Sequence, residues 1–222
     1  ALIRSYPDLE EELREFFGLR SDEKIFIAGS TQAPEESFAL DTWQLLRSEF
    51  PSLRLILVPR HKERFEEVAA LVTSRGVTLK RRSDSVRTVG DVLLLDTLGE
   101  LGACWGLADI AFVGGSLTQR GGQNMLEPAA YGAAVLFGPN TWNFRDIVEQ
   151  LLAREAARVV RSAEELTATV RELLQQSAAA EELGSRAKAF VATQQGAASR
   201  TVDLLLRLRV AESSLIQNRR AA

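Results

Sequence analysis

The chain has 222 residues, of which 45% are hydrophobic and 26% charged, enough apolar content for a packed core and far from a disordered, collagenous or mucin-like polymer. Lys and Arg total 27 against 30 Asp and Glu, a formal net charge of -3, so no global basic field is available to hold a nucleic-acid backbone, and any polyanion has to bind locally. A single cysteine, Cys104, cannot close an internal disulfide, and a single histidine, His61, leaves too few soft ligands for a zinc site.

The opening ALIRSYPDLEEELREFF places acidic residues where a secretory leader needs an apolar run, and no stretch reaches ~18 consecutive apolar residues. A soluble chain is expected, with no membrane span or export signal, and with residues 1–22 as linker and lead-in helix. Short apolar runs then alternate with segments of helical period, the pattern of parallel strands joined by crossover helices. Strands are predicted at Ile25–Ala28, Leu53–Val58, Val77–Leu79, Val92–Leu95, Ile110–Val113, Val135–Phe137 and Arg158–Val160, several apolar on successive residues as strands covered on both faces must be. Pro34-Glu35-Glu36 opens a helix running to about Glu49, proline being tolerated in the first turn and acids favoured near the positive end of the dipole. Further helices are predicted over about His61–Ser74, Leu101–Leu107, Met125–Tyr131 and Phe144–Ala153. After about Ala163 the strand signals stop, and two or three amphipathic helices run to about Val210 before a polar tail at Asn218-Arg219-Arg220. One domain is expected: a Rossmann-like α/β core over 23–162 with helices and tail over 163–222.

In an open parallel sheet the ligand crevice lies outside the carboxyl ends of the strands. The residues there are Gly29-Ser30-Thr31, then Pro59-Arg60-His61, then Asp96-Thr97-Leu98-Gly99-Glu100, then Gly114-Gly115-Ser116 and Gly121-Gly122-Gln123-Asn124. Glycines with hydroxyls and an arginine suit a phosphate: backbone N–H groups approach closely and the guanidinium supplies a forked donor. Gly29, Ser30, Thr31, Gly114, Gly115 and Ser116 are therefore candidate phosphate contacts, although turns alone also account for glycine at strand ends. Neither G-x-G-x-x-G nor G-x-x-x-x-G-K-[ST] occurs, which disfavours a standard dinucleotide fold or P-loop. Asn124 followed by Glu127 matches a capping box; alternatively Glu127, on the binding edge, accepts hydrogen bonds from the vicinal hydroxyls of a ribose. His61 reads as a polar contact, Cys104 as core, and Lys80-Arg81-Arg82 as a solvated loop.

Taken in order, these segments resemble a known family. The matches are Ala28-Gly29-Ser30-Thr31 with Glu35-Glu36, Leu57-Val58-Pro59-Arg60-His61 with Glu63-Arg64-Phe65, and Leu95-Asp96-Thr97-Leu98-Gly99-Glu100-Leu101. They continue through Ala108-Asp109 with Ala111-Phe112-Val113-Gly114-Gly115-Ser116, then Gly121-Gly122-Gln123-Asn124-Met125-Leu126-Glu127-Pro128-Ala129-Ala130, and Phe137-Gly138-Pro139 with Asn143-Phe144. The set covers about residues 24 to 200 and is similar to the 3-deoxy-D-manno-octulosonic acid (Kdo) transferases of lipopolysaccharide synthesis.

The resemblance implies one half of a glycosyltransferase B-type fold, the C-terminal, donor-binding half of an enzyme that moves Kdo from CMP-Kdo to a lipid A precursor with inversion. It implies donor-nucleotide contacts at Pro59, Arg60, Leu98, Gly99, Glu100, Asn124, Met125, Leu126 and Glu127, with no metal and no cofactor besides the donor substrate. The general base, the acceptor site and the membrane contact at the cytoplasmic face of the inner membrane are expected in an N-terminal half, so no catalytic residue is assigned and the chain alone is expected to be inactive. Two positions depart from the family: Gln32 and Gln123 stand where histidine is common, and glutamine donates a hydrogen bond but does not titrate. Rival interpretations are the corresponding half of a UDP-sugar glycosyltransferase or hexosamine 2-epimerase, and a stand-alone nucleotide-binding module.

Overall fold

A computed structural model describes residues 6–85 and 89–194. The chain enters through α1 (Pro7–Phe17), with proline in its first turn and Gly18 ending it at φ +67, where its N–H returns to the carbonyls of Arg14 and Glu15. Strands and helices then alternate: β1 (Lys24–Thr31), α2 (Glu35–Leu46), β2 (Leu53–Pro59), α3 (Phe65–Ser74), β3 (Leu79–Arg81), β4 (Val92–Leu94), α4 (Leu101–Cys104) and β5 (Ile110–Val113). The chain continues through α5 (Leu126–Tyr131), β6 (Ala134–Phe137), α6 (Arg145–Ala153), β7 (Arg158–Val159), α7 (Ala163–Gln175) and α8 (Ser177–Gln194). The predicted segment Val202–Val210 and the tail Asn218-Arg219-Arg220 lie outside the described residues.

All six strand pairings are parallel, and the sheet order is β3-β4-β2-β1-β5-β6-β7. Strand alternation explains why both faces are covered. Phe26, Leu55, Leu57, Phe112 and Leu136 point into a cluster with Leu40, Trp43 and Val72 of α2 and α3 and Val170 of α7. Ile25, Ile27, Ile56, Val113 and Phe137 point the other way, onto Leu13 and Phe17 of α1, Trp105, Ala129, Leu151 and Phe190. The chain reverses its direction across the sheet between β1 and β5, and the two strand exits meet there. A Cβ on Gly29 would lie 2.5 Å from the Trp105 ring, and one on Gly114 2.5 Å from the Thr31 Cα. A side chain at Gly114 would force the two strand ends apart, and one at Gly29 would push the Trp105 ring off the sheet.

Among the boundaries that differ from the sequence-based expectation, two bear on the sheet edge. The first strand runs on to Thr31, so Gly29, Ser30 and Thr31 are buried strand residues. The third strand is Leu79–Arg81 rather than Val77–Leu79, and it carries the basic run that read as a solvated loop. Lys80 is only 5% exposed, with its ammonium on the Phe16 carbonyl and 4.9 Å from the Phe16 ring centroid. Its long apolar stem crosses the strand and its charged end ties down α1.

Candidate functional site

The switch point between β1 and β5 is the expected ligand crevice, and part of it is filled by the protein itself. Glu35, the first residue of α2, is fully buried. Its carboxylate accepts N–H hydrogen bonds from Gln32 at 2.9 Å, Gly115 at 2.7 Å, Ser116 at 3.0 Å and Leu117 at 2.9 Å. Burial pushes this carboxyl above its ordinary value, while the four donors favour the anion and hold the rise back. The turn Gly114–Leu117 is thus an anion nest whose anion is a side chain. The candidate phosphate contacts at Gly115 and Ser116 have their N–H groups taken, Gly114 donates to the Gly29 carbonyl at 2.9 Å, and the Ser116 hydroxyl donates to the Val113 carbonyl at 2.5 Å. With Gly29, Ser30 and Thr31 buried in β1, this group of six offers a ligand few free donors, although the Thr31 hydroxyl is buried without a partner.

The β2 side of the crevice is different. Arg60 follows Pro59, donates its backbone N–H to the Thr31 carbonyl at 3.0 Å, and is exposed, as is His61. No described residue hydrogen-bonds or pairs with the Arg60 guanidinium. Farther along the same edge Arg81 and Arg82 are both engaged. Arg81 bridges Glu66 and Asp96, reaching the Asp96 carboxylate from Nε at 2.7 Å. Burial opposes the Asp96 charge, but Ser83, through its N–H at 2.9 Å and its hydroxyl at 2.6 Å, and Arg81 together hold its carboxyl below the ordinary value. Arg82 grips Glu100, with Nη2 at 2.9 Å. Burial again opposes the charge, and Arg82 and Thr97 still keep the Glu100 carboxyl low. Between these anchors the Leu98 side chain is 71% exposed, and Gly99 sits at φ +87, a conformation suited to glycine.

The third wall is the turn into α5. Gly121 and Gly122 both have positive φ, +85 and +77, and the Gly122 N–H donates to the Gly115 carbonyl at 2.8 Å. The predicted capping box forms only in part. Asn124 Oδ1 accepts the Leu126 N–H at 3.2 Å, whereas its amide donates to the Glu127 carboxylate at 3.0 Å, so Glu127 binds a side chain instead of the cap backbone. The helix begins one residue later than a box at Asn124 requires, with Met125 in the cap position. One Glu127 oxygen thereby keeps no described partner. Met125 is fully buried, backbone included, so it backs this turn from the core side and the accessible surface here belongs to Asn124, Leu126 and Glu127. Gln32 and Gln123 are both half-buried at this edge. Glu35 was missed as an organising residue by sequence reasoning; its acidic pair with Glu36 at a helix start was the available signal.

Cysteine 104 is buried, and burial pushes its thiol up. Among the described residues no group of three or more His, Cys, Asp or Glu is placed to hold a metal ion, and no helix is long and apolar enough to cross a membrane. A groove of about 640 Å³ between α2 and α7, lined by residues including Leu45, Thr167 and Arg171, lies on a helical face away from the strand ends, so size alone does not select the site.

A parallel sheet whose strand order reverses between β1 and β5 is a doubly wound, Rossmann-like α/β domain, the kind that forms one half of a glycosyltransferase B-type fold. No protein-family model matches the chain. It is 38% identical over 203 residues to the 3-deoxy-D-manno-octulosonic acid transferase of Haemophilus influenzae, covering 88% of this chain and 48% of that protein. It is 36% identical over 186 residues to the Bordetella pertussis transferase of the same name, covering 82% of this chain and 44% of that one. The crystal structure of the C-terminal CMP-Kdo binding domain of WaaA from Acinetobacter baumannii superposes with a TM-score of 0.75 at 30% identity, covering 82% of this chain and 97% of that domain. The chain belongs to the Kdo transferase family, and it spans about half the length of the curated relatives it matches. UDP-GlcNAc 2-epimerase from Neisseria meningitidis, at a TM-score of 0.52 and 14% identity, shares the fold alone.

Proposed function

We propose that this chain is the donor-binding half of an inverting glycosyltransferase that moves Kdo from CMP-Kdo to a lipid A precursor hydroxyl at the cytoplasmic face of the inner membrane. The likeness to a CMP-Kdo binding domain over nearly its whole length is the observation that carries this assignment. The geometry supports it through the exposed guanidinium of Arg60 on the crevice, which has no partner among the described residues. There it meets the CMP phosphate and neutralises charge that grows as the phosphate leaves. Across the crevice the free oxygen of Glu127 accepts from the ribose hydroxyls. Pro59, Leu98, Gly99, Asn124 and Leu126 enclose the nucleoside, Met125 backs that last turn from the core side, and Glu100 contributes through the segment it anchors. The six candidate phosphate contacts at the β1 and β5 exits give way to Arg60 in this scheme, because Glu35 occupies the nest. The general base and the lipid acceptor site belong to the portion of the relatives this chain does not span.

Calorimetric titration with CMP, UMP and UDP tests the assignment. Selective binding of CMP is expected. Tighter binding of UDP would replace the donor by a nucleoside diphosphate sugar, and the rival UDP-sugar assignment would stand. A transfer assay from CMP-Kdo separates binding from turnover: this chain alone should bind and not transfer, and robust turnover by it alone would contradict a base located elsewhere.

A further inference from the structure

The segment Thr97–Glu100 leaves β4 with little to hold its middle. Leu98 is 71% exposed, and a Cβ on Gly99 would meet no described atom within 4 Å beyond its two chain neighbours. Its shape is set by its ends. The Glu100 carbonyl accepts the N–H groups of Ala103 at 3.1 Å and Cys104 at 2.9 Å, which starts α4. The Glu100 carboxylate accepts the Thr97 hydroxyl, closing the segment on itself, and accepts Arg82 through Nε at 3.2 and 3.3 Å and Nη2 at 2.9 Å. A carboxylate engaged this fully has little left for a ligand.

Arg82 is itself fixed from three sides. Its backbone N–H donates to the Leu94 carbonyl at 2.9 Å, its guanidinium lies 4.7 Å from the Phe16 ring centroid, and Nη2 also reaches Glu12 of α1 at 2.5 Å. The side chain is 14% exposed, against 58% for Glu12. The pair with Glu100 is therefore the protected one and the pair with Glu12 is at the rim, where ion pairs count for little. A planar fork that meets one carboxylate through two nitrogens is available to arginine and not to lysine.

Building on the donor assignment above, we propose that Arg82 is a positioning residue of the donor site: through Glu100 it holds Thr97–Glu100 in the form that receives the nucleotide. The test is a double-mutant cycle in CMP affinity on this chain with Arg82→Met, Glu100→Ala and the pair. Each single variant should weaken CMP about tenfold, and the double should be within about twofold of the weaker single, since the second change finds the grip already gone. Arg82→Lys keeps the charge without the fork and should fall between, at about threefold. Glu12→Gln, which removes only the rim partner, should cost less than about twofold. Wild-type affinity in Arg82→Met, losses that multiply in the double, or a loss in Glu12→Gln equal to that in Arg82→Met would overturn the proposal. Should Arg82→Met lose its near-UV circular dichroism, Arg82→Lys decides, and unchanged affinity there overturns it. A wild-type chain that does not bind CMP overturns the donor assignment itself, an outcome distinct from binding that ignores Arg82.

Discussion

Arg60 and the pair Arg81–Arg82 leave the same edge of one sheet, from strands separated only by β4, and they meet opposite fates. Arg81 lies between Glu66 and a buried Asp96, and Arg82 between Glu12 and Glu100. Arg60 projects from a proline-fixed turn into solvent with no described acceptor. The same contrast appears among the anion-binding elements: the nest at Gly115–Leu117 is closed by Glu35, whereas Glu127 keeps one oxygen open. Charge satisfied within the chain stabilises the fold, and charge left unsatisfied at a crevice is available to a ligand. Along this sheet edge the satisfied charges gather at the β3 and β4 exits, the open guanidinium stands at β2, and the segment after β5 carries one of each kind.

The largest expected effect falls on the satisfied set. Arg81→Met leaves the Asp96 carboxylate, 1% exposed, without its cation, and breaking a pair of this kind should cost about 3 kcal/mol. Urea denaturation measures it, and a loss under about 1 kcal/mol would erase the distinction between Arg81 and Arg60. A smaller effect is expected at the open carboxylate. Glu127→Gln should remove most of a preference for CMP over dCMP, about 1.5 kcal/mol if a ribose hydroxyl donates to the charged group. Lower thermal stability with the CMP to dCMP ratio intact would make Glu127 a partner of Asn124 and nothing more.

The smallest effect is a pH dependence. Asp96 and Glu100 have carboxyls held below their ordinary values of 3.8 and 4.5. A carboxyl lowered in the folded state contributes stability that is complete above its ordinary value and lost as pH falls through the folded one. The urea midpoint should therefore hold steady down to about pH 5 and drop below about pH 4. Asp96→Asn should lower the plateau and flatten that drop. Glu35, raised by burial, carries the opposite sign: the folded state binds its proton more tightly, which blunts the fall.

Most of the sheet was legible because its strands are covered on both faces, so Leu55–Val58, Val92–Leu95 and Ile110–Val113 read as unbroken apolar runs. The third strand was not, because Lys80 and Arg81 face acceptors on α1, on α3 and at the end of β4, and their charge masks the strand. Glycine at 29 was read as a candidate phosphate contact at a strand end, while its structural reason is the Trp105 ring pressed against the strand. Glu35 was legible as a helix-start acid and illegible as a nest filler, since three of its four donors lie 80 to 82 residues later. The positions of Arg60, the Thr97–Glu100 segment and Asn124–Glu127 along one edge followed from the rule that strand ends carry the site; which of their charges were already used required coordinates.

Calorimetric titration of CMP against the wild-type chain and Arg60→Ala, with urea denaturation of both, bears most directly on Arg60 as a cation left open for the donor. The variant should lose about 1.5–3 kcal/mol of CMP affinity, as for a hydrogen bond to a charged group. Its stability should match that of the wild type, since no described partner is lost, and cytidine should bind the two chains alike. Equal CMP affinity in the two chains, or a loss of stability in place of affinity, would contradict the account.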